Sequence, residues 1–305
     1  MSSGASPSDS VLSPAGNSAV APAGSSLAGG RTGGPSVARL LLRSKTFVVG
    51  AVIVGWWIVD AVLWRAIVPH NPQASAFLPS IGPNSTNWFG TDDLGRDMFS
   101  RVLAGASSVL TVAPLATLLG VSGGTVIALV SVYYRGVVDD VLMRLVDAFL
   151  AFPLVILAVL VLSTFGPSTL NVILVIGIVF MPLVARTVRS AALGQRDSEY
   201  VAAARLQGDG PLWIMFVEIL PNITGAILVE ATIRFGYAIF TSATLSFLGL
   251  GIQQPSPDWG LTISLARASM AIEPWVVVAP AIALATLVVG VNLLADGLRH
   301  VLEEA

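Results

Sequence analysis

The chain has 305 residues, of which 54% are hydrophobic and only 11% are charged, and its mean hydropathy is +0.81. A soluble globular domain carries about 25% charged residues, so this composition indicates a protein whose bulk solvent is lipid. The net charge of −2 excludes a basic surface for nucleic acid, and the lack of cysteine excludes disulfides, cysteine-ligated metals and a thiol nucleophile.

The first 36 residues consist almost entirely of Ser, Gly, Ala and Pro. They predict a disordered tail, because they cannot bury enough apolar surface to offset the entropy of ordering. The first long apolar run begins near Thr46, which is too late for the core of a signal peptide. We therefore expect a cytoplasmic tail over 1–36 and a membrane domain over 37–305.

Six apolar runs are long enough to cross a bilayer, which needs about 20 mostly apolar residues as a helix. Backbone groups in hydrocarbon must be satisfied internally, and the alternating pattern of barrel strands is absent, so helices are expected. The predicted spans are 46–68, 107–133, 142–164, 169–189, 222–248 and 273–295.

Lysine and arginine in the flanks orient these spans by the positive-inside rule. The smaller group is Arg65, Arg96, Arg101 and Arg267. The larger group is Arg31, Arg39, Arg43, Lys45, Arg135, Arg144, Arg186, Arg189, Arg196, Arg205 and Arg299. The larger group predicts the cytoplasmic side, which then carries both termini and the segment between spans four and five.

Charged groups at membrane depth are costly, and each requires an explanation. Glu230 and Arg234 are four residues apart in the fifth span, which suits an ion pair on one helix face. Such a pair is either structural and self-neutralised, or part of a translocation path or gate. Asp60 lies in the outer half of the first span with Arg65 nearby, and we expect both to reach the interface by snorkelling.

Two further features of the spans are read as structural. Gly120 and Gly124 form a step of small residues in the second span, which favours close helix packing. Asp147 lies near the predicted cytoplasmic start of the third span, three residues after Arg144.

The segment TDDLGRD, at 91–97, is rich in acids but lacks the oxygen spacing and terminal Glu of a calcium loop. We expect a capped turn that starts an interfacial helix, with Arg96 holding the neighbouring acids. A second loop on the same side carries Trp259, which suits the aromatic belt of a membrane protein.

A polar segment, QRDSEYVAAARLQGDGPLWIMFVEILPN, occupies residues 195–222 between spans four and five. Asp197 or Ser198 suits a helix cap, and a first helix over Glu199–Leu206 is expected. Gly208 breaks that helix.

Pro211 opens a second helix in this segment, and Pro221 is expected to end it. Its apolar face is predicted at Trp213, Phe216 and Val217. The two helices fit either an interfacial pair lying on lipid or a docking element for a cytoplasmic protein. The mixed charges of the first helix favour the protein partner.

The order Ala203-Ala204, three residues, Gly208 and then ILP at 219–221 resembles the EAA loop of permease subunits of binding-protein-dependent ABC importers. In that family the loop forms a coupling helix that sits in a groove of the ATPase subunit. The glutamate that names the motif would fall at Ala202. The resemblance assigns ATPase coupling to Glu199, Tyr200, Ala202, Ala203, Ala204, Arg205 and Gly208.

Four further motifs resemble the dipeptide, oligopeptide and nickel branch of this family, and within it the "C" type permease. They are NWFGTDDLGRD at 87–97, LMRLVD at 142–147 with AFP at 151–153, LSFLGLG at 245–251 with PDWG at 257–260, and NLLADGLR at 292–299. The resemblance covers about 45–300 in order and at the expected spacings.

The resemblance implies an all-α integral membrane protein of the bacterial cytoplasmic membrane, with six transmembrane helices in the type I ABC importer permease fold. It implies a heterodimer with a homologous permease, two ATPase subunits that hold ATP and Mg, and an extracytoplasmic solute-binding protein. Glu230 and Arg234 become candidates for the path or gate. Candidate contacts with the binding protein are Asp92, Asp93, Arg96, Asp97, Asp258 and Trp259.

ATP hydrolysis is not expected in this chain. A P-loop needs a glycine-rich run before Gly-Lys-Ser/Thr, and Lys45 is the only lysine in the sequence, without the required glycines. No metal or cofactor is expected in the chain itself. We therefore predict a permease subunit of an importer for di- or oligopeptides.

Three alternatives remain open at this stage. The same architecture imports nickel, glutathione or another small solute. A stand-alone secondary transporter would show internal repeats with broken helices, and no clear repeat is seen. A membrane enzyme would need a catalytic constellation, and no Ser/His/Asp set or catalytic carboxylate pair is found.

Overall fold

The computed structural model describes residues 37–304, and this part of the chain is almost entirely helical. The expected tail over 1–36 lies outside the described residues. The helices are α1 (Val37–Arg43), α2 (Lys45–Ile67), α3 (Met98–Tyr134), α4 (Gly136–Leu150), α5 (Leu154–Phe165), α6 (Thr169–Arg196), α7 (Glu199–Gln207), α8 (Pro211–Trp213), α9 (Leu220–Asn222), α10 (Thr224–Phe247), α11 (Trp259–Ala266) and α12 (Pro274–Glu304). A π-helical segment, Ile214–Ile219, joins α8 to α9.

Five of the described helices are long and apolar enough to cross a membrane, namely α2, α3, α6, α10 and α12. Helices α4 and α5 pass the same test only as a pair, bent by 85° at a short break, and counting this pair as one span gives six crossings. The predicted all-α multi-pass fold is therefore confirmed.

The third predicted span, 142–164, is not one helix. Ala151 ends α4, and Pro153 sits immediately before α5. Proline has no N–H for the helical ladder, and it pushes the preceding residue towards an extended conformation. The break therefore follows from the sequence AFP.

The other ends differ from the prediction where polar residues act as caps. Helix α3 begins at Met98 rather than near 107, because a carboxylate oxygen of Asp97 accepts the N–H of Ser100 at 2.9 Å. Helix α6 continues to Arg196 rather than ending near 189. The short helix α11 was not predicted.

Helices α3 and α6 pack closely through the glycine step. A Cβ atom at Gly124 would lie 2.6 Å from the Cβ of Val184, and one at Gly120 would lie 2.9 Å from the Cβ of Phe180. Only a residue without a side chain permits this approach. The expected packing role of Gly120 and Gly124 is confirmed.

The buried apolar side chains form two main clusters. The larger one joins α2, α3, α5, α6, α10, α11 and α12. The second joins the C-terminal halves of α3 and α6 to α7 and the π segment, through residues such as Leu129, Val188, Val201 and Ile214. This second cluster fixes the polar segment on the end of the bundle.

Candidate functional site

The segment between α6 and α10 is anchored by a few buried side chains. Val201 and Ala204 of α7 are buried, as are Ile214, Met215 and Ile219 of the π segment. Burying an aliphatic side chain of this size contributes about 1.5–3 kcal/mol. Helix α7 is therefore held rigidly against the bundle, while its other faces are open.

Both ends of α7 are defined by local geometry. Ser198 occupies the N-cap position, but its hydroxyl donates to the carbonyl of Gln195 rather than capping the helix. Asp197 does not cap the helix either, since its carboxylate is 3.0 Å from Arg135. At the other end Gly208 is left-handed with φ of 84°, a conformation that glycine adopts without steric cost.

One face of α7 points away from the protein. It carries Glu199, Ala202, Ala203 and Leu206, spaced like residues on one side of a helix. Leu206 is 90% exposed. An apolar side chain held this far out, between small alanines, indicates a surface built for close approach by another molecule.

The remaining predicted coupling residues lie around this face. Ala204 is buried and serves packing. Tyr200 is half-buried, and its hydroxyl is 3.0 Å from the amide oxygen of Gln195. Arg205 is exposed and lies over the ring of Tyr133, 5.9 Å from its centroid.

The second helix of the segment has apolar side chains on two sides. Trp213, Phe216 and Val217, which were predicted to form its apolar face, are all exposed. The side chains that it buries are Ile214, Met215 and Ile219. The segment Ile214–Ile219 is π-helical, so its hydrogen bonds run from i to i+5.

This helix ends one residue after the expected end at Pro221. The helical run continues to Asn222, and α10 begins at Thr224. Pro221 lies in the first turn of α9, where a missing N–H is tolerated.

Three exposed apolar side chains therefore lie close in sequence around the turn at Gly208: Leu206 at 90%, Leu212 at 70% and Trp213 at 53%. We call these residues, with Glu199, Ala202 and Ala203, the α7–α8 surface. Sequence reasoning found the polar half of this surface and missed Leu206 and Leu212.

Ion pairs brace the same end of the bundle. Arg189 of α6 contacts Asp139 of α4 at 2.5 Å. Arg186 contacts Asp147 at 2.6 Å, so Asp147 pairs with α6 and not with Arg144 on its own helix. These pairs, with the one between α3 and Asp197, hold α4 and the start of α7 to the long helices.

The charged pair in α10 forms as its spacing predicts. The Nε atom of Arg234 is 2.6 Å from Oε1 of Glu230, and the two side chains are 15% and 6% exposed. The guanidinium also lies near two rings, 6.0 Å from the centroid of Phe180 and 5.5 Å from that of Tyr237. Both charged residues lie near the middle of a membrane helix.

The expectation of snorkelling is wrong for Asp60. Its side chain is 2% exposed, and neither carboxylate oxygen has a hydrogen-bond partner among the described residues. Asp60 follows Trp57 by one turn, on the face of α2 that packs against the bundle. Arg65 instead stacks on Trp64, 4.9 Å from its ring centroid.

The segment between α2 and α3 is a compact buried network. Asp92 accepts from Nε of Arg96 at 2.6 Å and lies 3.8 Å from Nε of Arg101. Asp97 caps α3 and accepts from the side-chain amide of Asn87 at 2.8 Å. Of the neighbouring acids that Arg96 was expected to hold, it contacts Asp92.

Several predicted contacts with a binding protein are, however, buried within this chain. Asp92, Arg96 and Asp97 are at most 6% exposed, so their side chains serve the fold and offer a partner almost no surface. Of the four charged residues proposed in this segment, Asp93 alone is exposed.

The predicted contacts at the loop before α11, Asp258 and Trp259, are also buried. Trp259 is fully buried, with its ring 5.0 Å from that of Trp57 and its Nε1 donating to the carbonyl of Val102 at 2.8 Å. It therefore does not belong to an aromatic belt. Asp258 is also fully buried and caps α11 through the N–H of Leu261, and burial raises the pKa of its carboxyl.

Within residues 37–304 no group of three or more His, Asp or Glu is arranged to hold a metal ion. Apolar crossings, an ion pair in mid-span and an outward-facing helical surface at one end define a multi-pass membrane protein of the permease class.

Comparison with known proteins agrees with this class. A family model for the inner membrane component of binding-protein-dependent transport systems matches residues 120–305. The chain is 37% identical over 264 residues to the dipeptide transport system permease protein DppC of Alkalihalophilus pseudofirmus, a match that covers 86% of this chain and 87% of that protein. It is 39% identical over 267 residues to the glutathione transport system permease protein GsiD of Escherichia coli O6:K15:H31, covering 87% and 88% respectively.

A solved structure of the MetNI methionine ABC transporter in inward-facing conformations contains a chain with the same fold. The TM-score is 0.56 at 19% identity, over 67% of this chain and 97% of that chain. The present protein belongs to the family of inner membrane components of binding-protein-dependent transport systems.

Proposed function

We propose that this chain is one permease subunit of an ATP-driven importer that moves di- or oligopeptides into the cytoplasm. The α7–α8 surface carries the proposal, because it is an apolar surface held rigidly outside the membrane helices of a transport permease. The name of the DppC relative supports the peptide substrate.

The energy for transport comes from other subunits in this proposal. Two ATPase subunits, which bind ATP and Mg, dock on the α7–α8 surface of this chain and on the equivalent surface of a homologous permease. Leu206, Leu212 and Trp213 supply apolar contact, and Glu199 supplies the acid that Ala202 lacks, since both lie on the same exposed face of α7.

The orientation follows from the distribution of arginine and lysine. The α7–α8 surface and both termini are cytoplasmic. The segment between α2 and α3 and the loop before α11 are then outside, where a solute-binding protein delivers substrate. Exposed side chains such as Asp93, Trp88 and Leu78 are the ones available to it.

Purification with associated subunits tests the proposal. The complex should contain an ATPase, and its ATP hydrolysis in proteoliposomes should rise when a solute-binding protein loaded with a dipeptide is added. If no ATPase subunit accompanies the chain, the importer assignment fails.

The docking surface can be tested separately by substitution. Leu206→Ser should lower the amount of ATPase subunit that co-purifies with the permease without changing its thermal stability, because the side chain is 90% exposed. Leu78→Ser, at a leucine that is 72% exposed on the opposite end, is the matched control. Equal recovery of the ATPase in both variants would contradict the assignment.

Glutathione is a second candidate substrate. The GsiD relative, a glutathione permease by name, is as similar to this chain as the dipeptide permease is. Uptake of radiolabelled glutathione, compared with that of a radiolabelled dipeptide by the same complex, distinguishes the two.

A further inference from the structure

The most unusual charge in the described chain is Arg234. Helix α10 has 24 residues, from Thr224 to Phe247, and Arg234 is the eleventh of them. A helix rises about 1.5 Å per residue, so the guanidinium lies near the middle of a bilayer core about 30 Å thick. A charge at this depth normally faces the bundle interior or a water-filled cavity and marks a pathway.

In the ion pair, Arg234 uses only its Nε atom, so the two terminal nitrogens of the guanidinium, which form a fork, remain without a hydrogen bond to Glu230. Glu230 accepts from Nε, on one edge of the planar group. Within residues 37–304 no hydrogen bond is made by the two terminal nitrogens, and neither of them is among the buried atoms without a partner. A pair that served neutralisation alone would favour the bidentate arrangement, with two parallel bonds. Here the outer fork remains available.

The surroundings hold this fork in place. Phe180 and Tyr237 lie within cation–π distance of the guanidinium carbon, at 6.0 and 5.5 Å. Phe180 is buried, whereas Tyr237 is 56% exposed. A guanidinium fixed by a carboxylate on one edge and rings beside it loses little entropy when it binds a planar anion.

Tyr237 also lines a cavity. This cavity has a volume of about 270 Å³, and its other lining residues are Ile233, Gly236, Phe240, Val288 and Asn292. The lining is apolar except for the tyrosine hydroxyl and the amide of Asn292, a mixture typical of small-molecule sites. Tyr237 therefore connects the charged pair to a space that accepts part of a small solute.

We propose that Arg234 is a binding site for a carboxylate group of the transported solute, with Glu230 and Tyr237 as positioning residues. The inference rests on the proposed function, since the solute must pass along α10. The C-terminal carboxylate of a peptide and the carboxylates of glutathione have the planar, two-oxygen geometry that the fork accepts.

Binding to the purified complex tests the site directly. The complex of this chain with its associated subunits, in nanodiscs and without solute-binding protein, is mixed with radiolabelled Ala-Phe or glutathione. We expect unlabelled Ala-Phe to displace the label and its C-terminal amide to compete at least about tenfold more weakly, because a charge-assisted bond is lost.

Three variants and one control separate binding from folding. Arg234→Gln should weaken binding about tenfold or more, and Arg234→Lys should restore part of it, since a point charge replaces the fork. Glu230→Gln with Arg234→Gln keeps the helix neutral, so it should fold and assemble as the parent does yet still fail to bind. Asp147→Asn with Arg186→Gln, which removes an ion pair at the end of the bundle, is the matched control and should bind normally.

Four outcomes would overturn the inference. Binding by the neutral double variant as strong as that of the parent would make the pair purely structural. Equal competition by the amide, or no binding to the parent complex, would show that no carboxylate is recognised. If the homologous permease no longer co-purifies with the double variant, the terminal nitrogens of Arg234 bind an acidic side chain of that subunit and not the solute. Uptake of peptide by the parent complex is measured in parallel. If the parent takes up peptide, only the carboxylate site is wrong; if it does not, the proposed function itself fails.

Discussion

Gly208 is the residue on which the shape of the α7–α8 surface depends most directly. Its φ of 84° is the left-handed conformation, and a Cβ added there would meet nothing within 4 Å. Any effect of substitution must therefore come from the backbone and not from a clash within this chain.

Gly208→Val should disturb the turn by about 1–2 kcal/mol, the cost of a left-handed conformation for a residue with Cβ. The chain should still insert, but uptake per ATP hydrolysed should fall. Gly208→Asn is the control, because asparagine tolerates this conformation better. Normal uptake in the valine variant, measured in proteoliposomes, would remove Gly208 from the coupling element.

Replacing Asp60 is expected to stabilise the protein. Its carboxyl is buried with both oxygens unsatisfied, and an unsatisfied buried polar group costs about 1–3 kcal/mol. Asp60→Leu should therefore raise the midpoint of thermal unfolding in detergent, whereas Asp93→Asn, at an exposed acid, should leave it unchanged. A lower midpoint for Asp60→Leu would indicate a partner for this carboxyl.

At the scale of elements, the contact of α3 with α6 depends on its glycine step. Gly124→Ala places a Cβ atom 2.6 Å from the Cβ of Val184 and 2.7 Å from the carbonyl oxygen of Met181. The helices must move apart, and stability should fall by about 1–3 kcal/mol.

Gly55→Ala in α2 is the matched control for this substitution. It is also a glycine within a membrane helix, but a Cβ there meets nothing within 4 Å. Thermal unfolding of both variants in the same detergent should separate them, and equal midpoints would contradict the packing account.

Helix positions were predictable because long apolar runs and their caps are local properties of the sequence. The bend at Pro153 was also encoded locally, by a proline inside an apolar run. The π geometry at Ile214–Ile219 was not predictable, because it depends on what the segment packs against. The exposure of Leu206 could not be predicted, since a single leucine in an alanine-rich helix is normally expected to be buried.

The candidate contacts with a binding protein illustrate a different limit. Acids such as Asp92 and Asp97 are expected at the surface, and a sequence alone does not show that Arg96, Arg101 and Asn87 converge on them. The pair Glu230 and Arg234 was predictable because its members are four residues apart on one helix. The ring of Phe180 beside it was not predictable, because Phe180 comes from α6.

At the scale of the whole molecule, the two ends of the bundle should be reachable from opposite sides of the membrane. The chain contains no cysteine, so single-cysteine variants need no altered background. Leu206→Cys should react with an impermeant maleimide only from the cytoplasm, and Leu78→Cys only from outside. Labelling of both from one side would contradict the orientation.

Bilayer thickness acts on this chain most strongly at the bend between α4 and α5. Helix α5 has 12 residues, which rise about 18 Å, against a hydrocarbon core of about 30 Å. The neighbouring crossings are all at least 23 residues long. Lipid beside α5 must therefore thin, or the angle with α4 must open, to remove the mismatch. Lipids with longer chains increase the mismatch at α5. The lipid composition of the membrane therefore affects the angle between α4 and α5, and with it the resting conformation of the permease.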